Sequence, residues 1–136
     1  ILKIEKKRAT AEKILDQAWN QADFENLEQL IADDAKFHFR GQTYPTNAQD
    51  LARIITGWHK SFADFKFTAK EFVSEGDLVA VRLIMSGTHQ SQWKDIPATG
   101  KQIQVTAMFF LRFEAGKLIE IWEDFDEYGL RKQLSK

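Results

Sequence analysis

GTHQSQWKDIPATGKQIQVTAMFFLRFEAGKLIEIWEDFDEYGLRKQL, residues 87–134, decides the fold. Ile103 to Phe113 is rich in β-branched and aromatic residues, and Leu118 to Phe125 repeats that composition after the tight Ala115-Gly116 turn, so the two runs form a hairpin. A hairpin this apolar has to bury both faces or pair with another subunit. Yet its second strand ends in Glu123, Asp124 and Asp126 beside Trp122. Carboxylates at the edge of an apolar surface are either solvated strand ends or acids tuned by burial, and both readings are open.

Working outward, Leu78 to Thr88 reads as a long strand entered through a Gly76-Asp77 turn, and Phe65 to Val73 as an imperfectly alternating one before it. Gln90 to Gly100, with Pro97, is a long loop. Asn47, followed three residues later by Asp50, starts a helix in which Leu51, Ile54, Ile55, Trp58 and Phe62 fall at helical spacing. Gly57 inside that stripe costs about 1 kcal/mol relative to Ala, which points to a close backbone approach. Phe37 and Phe39 alternate with His38 and Arg40 in a short strand, and Asp33-Asp34 marks a turn before it. Two helices precede these: a short one over Asn26 to Ile31, and one over residues 5–20 with Ala11, Ile14, Leu15, Ala18 and Trp19 on one face. Lys3, Lys6, Lys7 and Arg8, interrupted by Glu5, read as a solvated face of that helix.

Helices first, then mostly antiparallel strands on short turns, is an α+β plan with helices packed on one face of a curved sheet. The 136 residues are expected to form one domain, 1–136, around one core. A formal charge of −1 argues against a nucleic-acid partner. The chain has no cysteine for disulfides or thiolate metal sites, and its three histidines, His38, His59 and His89, lack zinc-ligand spacing. No apolar run approaches the roughly 20 residues of a membrane span, and no export signal opens the sequence, so the expectation is a cytoplasmic protein with no membrane partner. A segment removed ahead of Ile1 stays open. Without a dinucleotide fingerprint, a phosphate-binding glycine loop or a nucleophile elbow, nothing in the chain requires a cofactor. General acid/base chemistry by carboxylate remains.

The chain also resembles the SnoaL-like polyketide cyclases, a branch of the nuclear-transport-factor-2-like superfamily. The resemblance is carried by Gly87-Thr88-His89, Pro97-Ala98-Thr99-Gly100-Lys101, Arg112, Gly116 to Glu120, Trp122, Asp126, Gly129-Leu130 and Gln133-Leu134. Upstream, Phe62-Ala63-Asp64-Phe65 and Glu75 to Arg82 match as well. Ser91 and Ala98 depart from the family pattern in the loop at the expected pocket mouth. The resemblance implies a cone: a curved, mostly antiparallel sheet wrapped around the N-terminal helices, in the cystatin-like roll arrangement. It implies a small hydrophobic molecule as partner, a homodimer formed through the outer sheet faces, and cyclase or isomerase chemistry on a hydrophobic carbonyl compound. Asp126 matches the family's general acid/base and His89 its supporting histidine; a structural histidine at a strand end is the other reading of His89.

On a strand, Trp122, Asp124 and Asp126 share a face, so Asp126 is expected over an aromatic wall, where burial and the charge of Asp124 raise its pKa. Trp19, Trp58, Phe62, Trp93 and Arg112 complete the expected pocket, with Tyr44 and Trp93 as loop-borne lid residues and His59 at the rim. Whether Arg112 faces Asp126 turns on the hairpin register: a regular two-residue turn leaves them on opposite faces, and a bulge brings them together. Asp126→Asn is then expected to lower turnover at least about 100-fold. A ligand-binding module without catalysis, a scaffold with an occluded pocket, and an epoxide hydrolase built on Asp126 with Arg82 or Arg112 are the other functions these residues allow.

Overall fold

The chain forms six strands: β1 (Ile31–Phe39), β2 (Gln42–Thr46), β3 (Phe62–Glu75), β4 (Leu78–His89), β5 (Gln102–Glu114) and β6 (Lys117–Phe125). They form one curved mixed sheet in the order β2-β1-β6-β5-β4-β3. The β1–β6 pair is parallel, and the other four pairs are antiparallel. This computed structural model describes the backbone of residues 2–135 and the side chains of residues 6–135, so Lys3 and Glu5 of the expected basic face lie outside the described side chains.

Helix α1 (Leu2–Lys13) runs into a π-helical segment, Ile14–Asn20. The wider turn lets Ile14, Leu15, Ala18 and Trp19 all reach the core. Asn20 then closes the segment onto edge strand β3, donating to the Phe67 carbonyl at 2.9 Å and accepting from the Phe67 N–H at 2.8 Å. A side-chain amide thus satisfies backbone groups that a further strand would otherwise pair. A short helix, α2 (Leu27–Leu30), leads into β1, and α3 (Ala48–Ser61) follows β2. Asn47 caps α3 as expected, accepting from the Asp50 N–H at 2.9 Å.

The core sits on the concave side. Along β5 the odd-numbered side chains from Ile103 to Phe113 are buried, and β4 supplies Val79, Val81, Leu83 and Met85. Trp19 packs edge-on to Phe67 with ring centroids 5.1 Å apart and lies 5.5 Å from Phe109. Burying one such side chain contributes about 1.5–3 kcal/mol. Curvature comes from register breaks in β3 between Ala63 and Lys66 and between Ala69 and Glu71, and in the β5–β6 pair between Arg112 and Phe113.

Several expectations change. Asp33 and Asp34 belong to β1 instead of a turn, Ile31 opens that strand instead of closing α2, and Tyr44 lies in β2 instead of a loop. An unexpected helix, α4 (Glu127–Leu134), packs against β5. Gly57 admits no close approach: a Cβ built there meets nothing within 4 Å. Within the sheet, Gly87 on β4 is crowded: a Cβ there would stand 3.0 Å from Phe62 Cβ and 3.3 Å from the Ala63 carbonyl.

Candidate active site

The hairpin register decides which carboxylate faces inward. Glu114 pairs with Lys117 across the two-residue turn, but the break beside Phe113 leaves Ile119 without a partner and puts Arg112 opposite Glu120. From there on the strand's phase is fixed: Ile121 and Glu123 point to the core side, and Glu120, Trp122 and Asp124 to the convex side. The bulge puts Arg112 on the outer face beside Glu120, and Asp126 lies beyond the end of the strand.

Among the described residues Glu123 is the one buried acid, 5% exposed, and lies in register between Phe39 of β1 and Phe109 of β5. Its Oε2 has no hydrogen-bond partner. Removal from water, helped by the charge of neighbouring Asp124, pushes its carboxyl up to about 8. Such a group is mostly protonated near neutral pH and within reach of losing its proton, so it can give a proton to an oxygen or take one from carbon.

Glu123 borders a cavity of about 400 Å³ at the open end of the cone, between β1, β2, α3 and β6. Phe37, Phe39, Tyr44, Ile54, Trp58 and Phe125 form its apolar wall, with Arg40, Asp50 and Lys94 also bordering it. Phe39 and Phe125 stack at 5.8 Å with a 7° interplanar angle, and Trp58 meets Phe125 edge-on at 5.3 Å. A shallower pocket of about 350 Å³ shares Phe39, Ile54, Trp58, Lys94 and Phe125 with it and extends to Trp93. A largely apolar hollow with few polar groups is the usual form of a small-molecule site.

The expected pocket residues separate into three groups. Trp58 and Trp93 border these hollows, and Phe62 packs behind both, 5.8 and 6.2 Å away between ring centroids. Trp19 and Phe62 are fully packed core residues. Trp122, Asp124 and Arg112 stand on the convex face, contrary to expectation, because the bulge sets that phase. There Trp122 stacks on His38 at 4.7 Å and lies beneath the Arg112 guanidinium at 5.6 Å. Glu120 bridges His38 at 2.7 Å and Arg112 at 3.2 Å, while Arg112 takes both oxygens of Asp77 at 2.8 and 2.9 Å and holds that carboxyl below the usual range.

Asp126 does not sit over an aromatic wall. It is exposed, its N–H donates to the Thr106 carbonyl, and its side chain caps α4 by accepting from the Gly129 N–H at 2.8 Å. His89 is wholly buried beneath the 90–101 loop. Its Nδ1 accepts from the Thr99 N–H at 3.2 Å and sits 2.9 Å from Thr99 Oγ1, an arrangement that places the ring proton on Nε2, and burial lowers its pKa. His59, instead of marking the rim, donates from Nε2 to the Trp19 carbonyl at 2.6 Å and ties α3 to the π-helical segment. Among the described residues no three acidic or histidine side chains group to hold a metal ion, and no helix is long and apolar enough to cross a membrane.

A six-stranded open cone with helices on its concave side and a hollow at its mouth is the nuclear-transport-factor-2-like α+β fold. The family model for SnoaL-like polyketide cyclases matches residues 9–134, and the chain belongs to that family. Among solved structures, IdmH of Streptomyces antibioticus, described as a candidate polyketide cyclase, is 28% identical, with a TM-score of 0.84 over 96% of this chain and 99% of that one. AclR of Streptomyces galilaeus, described as a candidate hydroxylase, shares the fold at 24% identity and a TM-score of 0.86 over 98% and 87% of the two chains. TsrD of Streptomyces laurentii does so at 23% identity and 0.84, over 96% and 95%. No curated protein matches the chain significantly.

Proposed function

We propose that this chain is an enzyme that needs no cofactor and cyclises or isomerises a small hydrophobic carbonyl compound, with Glu123 as its general acid/base. The observation that carries this reading is an unpartnered, water-excluded carboxyl opening onto an aromatic cavity, with a pKa pushed up to about 8. In the ionised form Glu123 takes a proton from the carbon next to the carbonyl. In the protonated form it returns that proton to the oxygen left negative by aldol closure, or to another carbon of the enolate in an isomerisation. Membership in a cyclase family supports the same chemistry.

The test needs no natural substrate. Exchange of the α-protons of 2-tetralone into D2O, followed by NMR, reads carbon-proton abstraction directly. Glu123→Gln is expected to lower the enzyme-dependent rate at least about 100-fold, and Asp126→Asn to leave it within a few-fold. A large loss in Asp126→Asn with none in Glu123→Gln reverses the assignment. The exposure of Asp126 favours a second reading, in which the cavity binds a ligand without changing it. Probe binding with no exchange above buffer is its signature.

The same reading includes a homodimer. Met108 and Phe110 on the convex face are 53% and 49% exposed, next to half-buried Trp122, and an apolar strip of this kind is suited to the outer face of a second copy.

A further inference from the structure

The charges at the cavity mouth do not balance. Arg40 pairs with Glu127, Asp50 with Arg53, and Arg131 with both Asp95 at 3.0 Å and Glu127 at 3.3 Å. Lys94, which borders both hollows, makes no ion pair among the described residues; its ammonium lies 5.7 Å from the Trp93 ring centroid. Arg40 and Arg131 are the like charges that act on it, and Asp95 is the one opposing charge that does. Lys94 therefore stands in a positive field at the entrance to an aromatic hollow without a partner anion.

The backbone presents it there at a cost. Trp93 and Ile96 exchange two hydrogen bonds of 2.9 Å, making a tight loop of which Lys94 and Asp95 are the tip. Lys94 takes a left-handed conformation, φ 52°, that glycine would adopt freely. Gln92 holds the tip by donating to the Lys94 carbonyl at 2.9 Å. Lys94 is exposed, borders both hollows and lacks a counter-ion, so its ammonium is free to meet an anion arriving at the cavity.

We propose that the cavity takes a flat apolar anion, whose negative group pairs with Lys94 at the mouth while its body lies against Trp58 and Phe125 and its carbonyl end reaches Glu123. This rests on the reading of the hollow as a substrate site and adds a charge to its substrate: an apolar carbonyl compound that also carries a negative group, a carboxylate or an ionised enol. The two ends are complementary in charge. The neutral carboxyl of Glu123 spares the anion a repulsive partner inside, and the unpaired ammonium supplies an attractive one outside.

Isothermal titration calorimetry with 2-naphthoate and 2-naphthamide tests the inference, because the pair shares a shape and differs in charge. The wild-type protein is expected to bind the naphthoate at least about five-fold more tightly than the amide at low salt, with the margin shrinking as ionic strength rises. Lys94→Gln should abolish the margin without weakening amide binding, and Lys94→Arg should keep it. Equal affinities in the wild type, a margin that survives Lys94→Gln, or no binding of either probe overturns the proposal. The outcome is separable from catalysis. Loss of the anion preference with proton exchange intact removes only the substrate class, and an intact preference without exchange leaves an anion-binding cavity that performs no chemistry.

Discussion

Glu123 and Asp126 lie three residues apart at the end of β6 and occupy opposite environments: the first is buried against Phe39 and Phe109 inside the cone, the second is exposed and caps α4. The bulge at Ile119 turns Glu123 to the core side, and β6 ends at Phe125, so Asp126 leaves the sheet to cap the next helix.

Burying Glu123 makes stability depend on pH. Its carboxyl is raised from about 4.5 to about 8 on folding, so the folded chain holds a proton that the unfolded chain has released between those values. That contribution is fully present below about pH 4.5 and is lost as pH rises through about 8, at a limiting slope of about 1.4 kcal/mol per pH unit. Glu123→Gln keeps a neutral group of the same shape and should remove this slope. Urea midpoints at pH 5, 6, 7 and 8 are expected to fall more steeply for the wild type than for the variant, with the variant the more stable at pH 8. Parallel curves for the two proteins would contradict the burial.

Much of this architecture is legible in the sequence, for a physical reason. The apolar runs of β3 to β6 and the Asn47 cap are local signals, and the residues that form them also bury themselves. The face of a strand is not a local property. Counting by twos groups Trp122 with Asp124 but fails at Asp126, where the strand has already ended, and nothing in the count says which side of the sheet is the inside. The usable signal was Phe109 within the regular Ile103 to Phe113 alternation: its face is the core face, and the residue paired with it is Glu123. Reading that pairing requires the one-residue bulge, which no composition marks. Lys94 and Arg40 reach the cavity mouth from a loop and a strand end far apart in the chain, so their meeting belongs to the tertiary fold alone.

The Asp126–Gly129 contact explains a spacing that the catalytic reading leaves unexplained. A Cβ on Gly129 would lie 2.2 Å from Asp126 Oδ2, so the glycine leaves room for the capping carboxylate. Asp126→Ala should cost about 1 kcal/mol by urea unfolding. Gly129→Ala adds helix propensity of up to about 1 kcal/mol and expels the cap, so the two effects should nearly cancel. In the Asp126→Ala background no cap remains to lose, and the same change should stabilise. A double-mutant cycle is therefore expected to show coupling of about 1 kcal/mol; additive effects would mean that the cap carries no energy.

Gly57 and Gly87 should respond oppositely to alanine. Gly57 lies within α3 with open space around its Cα, so Gly57→Ala is expected to stabilise by about 0.5–1 kcal/mol. Gly87 lies under the first bulge of β3, and the atoms an added methyl would meet are Phe62 Cβ and the Ala63 backbone, which cannot swing aside. Gly87→Ala should destabilise by about 1–3 kcal/mol. Thermal denaturation of both variants settles the signs.

The convex face supplies the last prediction. Phe110 pairs in register with Ala80 on one side and Trp122 on the other, and Trp122 with His38, so an apolar and aromatic strip crosses four strands. Half of Phe110 is left in water by a single chain, as its 49% exposure records. A second copy placed on that strip would cover it, and Phe110→Glu would then bury a charge at the centre of the contact, where an unpaired carboxylate costs several kcal/mol. Sedimentation velocity at micromolar concentration is expected to give twice the chain mass for the wild type and the single-chain mass for Phe110→Glu. Because Phe110 faces away from the core, the variant should keep its fold by circular dichroism, and its α-proton exchange should persist unless the dimer itself shapes the cavity. A wild type that sediments as a single chain would show that the strip is not a self-contact.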